Sequence, residues 1–260
     1  MEGKARITKK TKIAIAVSVC AVAIVVAIVC GIVFSRKDRE LTTQEWLDKF
    51  SSSMNSAVSV KDEEGNILSI NVMREIEIKQ DGVVVATYRQ KLQIYTTDGQ
   101  VDAYLLSEEK YPTLGSDQDD VLDEYYLSQD IMYTRRLWSG ESQMARFDSD
   151  LDTLLLVARE NIGERQYSLV EENFSPREDG GDILSHENDV HKMSAKVVPN
   201  RYAVFLEESA VGLSNMTVDM QMKGDVFEYF LLEYEENNIS TKVKITRYDT
   251  QAVTLPQWLE

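Results

Sequence analysis

The residues best equipped for chemistry in this 260-residue chain are its only two histidines, His186 and His191, set in His-Glu-Asn-Asp-Val-His with Asp182, Glu187 and Asp189 around them. Imidazole and carboxylate are the donors a divalent ion would use. A helical metal pair wants i,i+4 spacing, as in H-E-x-x-H, whereas this stretch reads as a loop running into a strand. Two histidines in a solvated acidic loop are the ordinary case, and no metal is expected. Asp148, Asp150 and Asp152 imitate the opening of a calcium loop, but its glycine position holds Thr153 and its closing glutamate position holds Arg159. Carboxylates at the positive end of a helix dipole explain these acids better. Asp117, Asp119, Asp120 and Asp123 read as a solvated loop.

Other chemistries lack their parts. The chain has no G-x-S-x-G, no phosphate-binding loop and no dinucleotide fingerprint, and both cysteines, Cys20 and Cys30, fall in one apolar run near the N-terminus. No spacing singles out a carboxylate pair for glycoside hydrolysis among the 44 acids. The expectation is a protein without catalytic residues, without a cofactor, and not an enzyme. Two features are candidates for ligand binding. Arg74 interrupts the apolar row Ile70, Val72, Ile76, Ile78, so either a bulge turns it outward, the commoner outcome, or it meets a ligand. Met216, Met220 and Met222 share one strand face; methionine lines adaptable apolar clefts, although it more often fills a core.

The elements that must carry these residues follow from periodicity. A helix opens at Thr42 with Glu45 at capping-box distance, and Trp46, Leu47, Phe50, Met54, Ala57 and Val58 form one apolar face. From Ile67 the period becomes two. Asp81-Gly82 and Asp98-Gly99 mark tight turns, which predicts a meander of long antiparallel strands to Leu106. Ser107 to Asp123 reads as a surface loop, Tyr125 to Trp138 as a hairpin turning near Ser128-Gln129-Asp130, and Leu151 to Asn161 as a helix capped by Ser149. Tyr167 to Glu172 reads as a strand and Ser175 to Asn188 as a polar loop around Gly180-Gly181. Met216 to Tyr248 alternates strictly and turns at Lys223-Gly224-Asp225 and Glu236-Asn237-Asn238.

Ile13 to Phe34 holds 22 residues without a charge. As a helix it would reach roughly 33 Å, enough for a hydrocarbon core about 30 Å thick. Five basic residues precede it and three follow, which predicts an uncleaved signal-anchor with the N-terminus in the cytoplasm. The expected organisation is a basic tail over 1–12, a transmembrane helix over 13–34, a stem over 35–41 and an extracytoplasmic domain over 42–260. The chain carries −16 overall and +5 over residues 1–40, so residues 41–260 carry −21. Phosphates would repel such a domain, which excludes nucleic acid as a partner. An exported domain without cysteine fits a bacterial, Gram-positive exterior better than an animal cell surface. Asn173-Phe-Ser, Asn215-Met-Thr and Asn238-Ile-Ser match the glycosylation pattern, which matters only in a eukaryotic host.

The predicted class is therefore α+β: an N-terminal transmembrane helix, then one large curved antiparallel sheet with two or so helices packed on its inner face. The stem helix from Thr42, the hairpins Ile67–Leu106, the aromatic strand Tyr125-Tyr126-Leu127 with Met132-Tyr133, and the meander Met216–Tyr248 resemble, in their order, the LolA/LppX-type exported fold. That resemblance implies a sheet half-enclosing an apolar cavity, a lipid or lipoprotein ligand and no chemistry; it transfers no residue. The expected function is a membrane-anchored extracytoplasmic binding domain for lipid or another amphiphile. The alternative is a protein-interaction or sensing module of a cell-envelope assembly.

Overall fold

Asp-Gly pairs begin the sheet. Asp81 and Gly82 take φ of 52° and 81°, and Asp98 and Gly99 take 51° and 78°. Two consecutive left-handed residues let a two-residue turn match the twist of its strands, and glycine accepts that backbone without strain. A computed structural model describes residues 41–114, 120–162, 167–178, 183–206 and 212–260. The two turns join β1 (Ile70–Gln80), β2 (Val83–Thr97) and β3 (Gln100–Lys110), and the meander continues through β4 (Val121–Ser128), β5 (Ile131–Trp138) and β6 (Glu141–Asp148). The second half supplies β7 (Phe174–Ser175), β8 (Leu184–Glu187), β9 (Val190–Val197), β10 (Leu213–Lys223), β11 (Val226–Glu236) and β12 (Ile239–Arg247).

All twelve strands form one sheet in the order β6-β5-β4-β3-β2-β1-β12-β11-β10-β9-β7, with β8 also paired to β9. Every pairing is antiparallel. Two meanders run outward in opposite directions, and the seam between them pairs β1 with β12. Register then assigns faces. Val72, Leu92, Leu105, Met220, Phe230 and Ile245 lie on one face and are buried. Helix α1 (Thr43–Val58) and helix α2 (Leu151–Ile162) pack on the sheet, α1 against β1 and β11 and α2 against β2, β3 and β4.

The α+β expectation is overturned. The described chain is mostly one antiparallel sheet with few helices, and no helix among the described residues is long and apolar enough to cross a membrane. The predicted span Ile13–Phe34 lies outside the described residues. Strand content is higher than expected because segments read as loop or left unassigned pair at both ends of the sheet: β6 beyond a Ser139-Gly140 turn, β7 at the start of the predicted polar loop and β8 within it. In β6, Glu-Ser-Gln-Met-Ala-Arg-Phe-Asp is exposed on both faces, so it carries no alternation to read. The Ser107–Asp123 loop is likewise shorter than predicted, since β3 runs to Lys110 and β4 begins at Val121. Gly180-Gly181 lies outside the described residues.

Helix α1 is held from two sides by its polar residues. Asn55 Oδ1 accepts from Tyr167 N–H (2.8 Å) while its Nδ2 donates to Tyr167 C=O (3.0 Å). Ser51 Oγ accepts from Leu169 N–H, and Gln44 bridges Leu169 C=O and Glu171 N–H. The segment predicted as a strand over Tyr167–Glu172 is thus extended chain ending in a 3₁₀ turn over Glu171–Asn173. Its backbone groups are satisfied by helix side chains rather than by a neighbouring strand. On the other side Ser53 Oγ accepts from Phe227 N–H and donates to Asp225 C=O, which closes the β10–β11 turn on the helix. Asn173 is buried, so that triplet is no accessible glycosylation site.

The opposite face of the sheet is crossed by the chain after β12. Asn71 Nδ2 donates to Asp249 C=O (3.0 Å), and Gln93 Nε2 to Gln251 C=O (3.0 Å). Farther along, the Trp258 ring lies 5.5 Å from the Arg135 guanidinium carbon.

Candidate functional site

Strand alternation places Ile245 inward on β12, and the next residue on that face is Arg247, opposite Val72. Arg247 sits where the sheet meets α1. Here a groove of about 630 Å³ opens, floored by Ile70, Met222, Leu68 and Ala57. Its polar wall is Ser52 and Ser56 from α1, with Lys49 and Asp225 at one end. Lys49 Nζ is 3.0 Å from Asp225 Oδ1, an exposed pair of little energetic weight. Arg247 is half-buried and makes no ion pair among the described residues. A guanidinium cannot shed its charge, so burial without a counter-charge leaves it demanding an acceptor. An apolar floor beside a cation and hydroxyls that have no side-chain partner among the described residues can hold the neck and anionic head of an amphiphile.

The candidates named from sequence distribute unevenly. Met222 is fully buried and lines the groove, whereas Met216 and Met220, each 1% exposed, are core. Met220 lies between Phe230 and Met193 in the ladder. Arg74 faces the same side as Val72 and Ile76, opposite Gln90 and Ile245. No bulge turns it outward; the irregularity of that strand falls at Ile78/Lys79. The groove is lined by Arg247 rather than Arg74. Arg247 was passed over in the sequence, although it continues the row Val243, Ile245 and that alternation could have found it. Lys49, Ser52 and Ser56 were not legible there, because nothing local says which strand rim the outer face of α1 will overhang.

A second arginine shows the opposite arrangement. On the far face of the sheet Arg135 Nε donates to Glu124 Oε2 at 2.6 Å, with Nη2 on the same oxygen, and Tyr104 Oη donates to Glu124 Oε1 at 2.6 Å. Burial first, and the bond to Glu124 second, push the Tyr104 phenol well above its ordinary range, so it stays a neutral donor. Trp258 lies over the guanidinium. Every charge in this group is matched.

Near α2, Asp150 Oδ1 accepts from Thr153 N–H (2.9 Å) and from the Thr153 hydroxyl (2.7 Å), which holds its carboxyl below the usual range. Asp150 is therefore the helix cap, one residue after the predicted Ser149, and the calcium-like run is capping chemistry. Among the described residues no three His, Cys, Asp or Glu side chains converge as metal donors. No family model matches the chain, and no curated protein matches it.

Proposed function

We propose that the sheet domain is a non-enzymatic binding module, held at the outer surface of a cell membrane by the uncharged run 13–34, and that it takes an amphiphile with an anionic head. The observation that carries this reading is Arg247, a half-buried guanidinium without an ion pair among the described residues, at the junction between an apolar floor and a hydroxyl-bearing helix. A guanidinium fork suits phosphate or carboxylate oxygens in two-point contact, and desolvation at the rim strengthens the bond. The groove volume of about 630 Å³ falls within the range of small-molecule sites. In a region of net charge −21, long-range attraction contributes nothing to capture of an anion, so the local pair must supply the selectivity. The order of elements that resembles LolA/LppX-type carriers supports the same reading.

The test is extraction of the chain purified from its native host, with mass spectrometry of what co-purifies. The expected result is an anionic lipid or other amphiphile at near-stoichiometric amount, depleted in Arg247→Gln. An empty wild-type extract, or equal loading of the variant, would sink the proposal.

A protein-interaction or envelope-sensing role draws on a different observation. Strand β6 is a sheet edge with all eight residues exposed, and Trp138, Met144 and Phe147 present large apolar groups there. Such edges pair readily with another strand. Crosslinking that captures one envelope protein on β6 would favour this role over the groove.

A further inference from the structure

We infer that His186 and His191 form a two-nitrogen chelate for a late first-row divalent cation, with copper(II) the best match. The two residues stand opposite each other across the β8–β9 ladder, one pair out from the Asn188-Asp189 turn. A spacing of five excludes a helical pair, but a two-residue turn makes residues i and i+5 direct neighbours across a hairpin. Their Nδ1 atoms lie 2.9 Å apart. With metal–nitrogen bonds of about 2.0 Å, two ligands at a right angle are separated by about 2.8 Å, and two at the tetrahedral angle by about 3.3 Å. The observed separation fits the first, the cis edge of a square or tetragonal site, which copper(II) and nickel(II) prefer and for which copper(II) binds more tightly.

The rings are also held in place. Trp46, 7% exposed, lies with its ring 4.5 Å from that of His186 and 4.0 Å from that of His191, and its position is fixed by α1 packing on the core. Burial and the neighbouring His186 hold His191 below the usual histidine range. Asp189 and Asp225 add negative charge around the pair, which Lys49 partly offsets. His186 is exposed, and no third donor converges among the described residues, so solvent would fill the remaining positions. Without a metal the same 2.9 Å contact is one imidazole donating to the other.

The experiment titrates Cu²⁺ into the full chain carrying Cys20→Ser and Cys30→Ser, which removes thiols that would compete for or reduce the ion. Tryptophan fluorescence and electron paramagnetic resonance are followed at about pH 7.5, since metal binding competes with protons for the ligand nitrogens. The expected result is quenching that saturates at one equivalent, with nitrogen hyperfine structure from two imidazoles. Both signals should be lost in His186→Gln and in His191→Gln while the far-ultraviolet circular dichroism stays that of the parent. No saturable uptake by the parent overturns the assignment. So does uptake that survives both substitutions, which would place the ion on the acidic surface or at the terminal amine.

Discussion

Two arginines on opposite faces of one sheet meet opposite fates. Arg135 is matched: Glu124 accepts from it, Tyr104 donates to the same carboxylate, and Trp258 covers the guanidinium. Arg247 also lies against the sheet, yet no carboxylate answers it among the described residues, and open space adjoins it. The difference teaches where to look for function. A charge whose partners are all internal holds the structure together, whereas one without a partner among the described residues marks the place to test for a ligand.

Removing the internal partner should cost most. Glu124→Ala leaves Arg135 half-buried without a counter-charge and Tyr104 without an acceptor, and should destabilise the domain by about 3 kcal/mol in urea unfolding. A loss below about 1 kcal/mol would mean that the matched cluster is solvated and the contrast is false. Trp258→Ala comes next, at about 1.5 kcal/mol, because it uncovers the same guanidinium and frees the chain that crosses that face. Limited proteolysis should then cut after Arg247 sooner than in the parent. Asp150→Ala extends the test to a paired carboxylate: loss of the Thr153 cap should lower the thermal midpoint, by less than either of the first two substitutions.

The unmatched arginine should behave differently. Arg247→Gln should change stability by no more than about 0.5 kcal/mol while abolishing amphiphile loading. A large loss of stability with loading intact would make Arg247 structural and reverse the comparison. The smallest effect concerns the histidine pair. His191 has a folded value below the ordinary 6.5, so the unfolded chain binds more protons there. Stability should therefore be full above about pH 6.5 and decline as the pH falls through that value. His191→Gln should flatten that part of the profile; an unchanged slope would show that other groups set it.

Much of this architecture is local in origin and could be read without coordinates. Trp46, Leu47, Phe50, Met54, Ala57 and Val58 bury together because side chains three and four apart share a helix face. Asp81-Gly82 and Asp98-Gly99 turn because their backbone can adopt positive φ. Met216 and Met220 face inward because strand neighbours alternate. Strand β6 was missed for the same reason turned around: an edge strand open to water on both sides needs no alternation, and only its hydrogen bonds to β5 define it. The reading of Tyr167–Glu172 as a strand failed because its backbone partners are Gln44, Ser51 and Asn55, more than a hundred residues away in the chain.

By itself, then, the sequence determined the hairpins, the apolar faces of the helices, the acidity of everything after residue 40 and the uncharged run before it, all of which depend on residues close together in the chain. Tertiary structure alone decided which arginine is answered and which is not, and that two histidines come within 2.9 Å. Pairing of charges and convergence of donors depend on which strands become neighbours, and in a twelve-stranded sheet whose first and last strands meet at the seam, that is set by the whole chain at once.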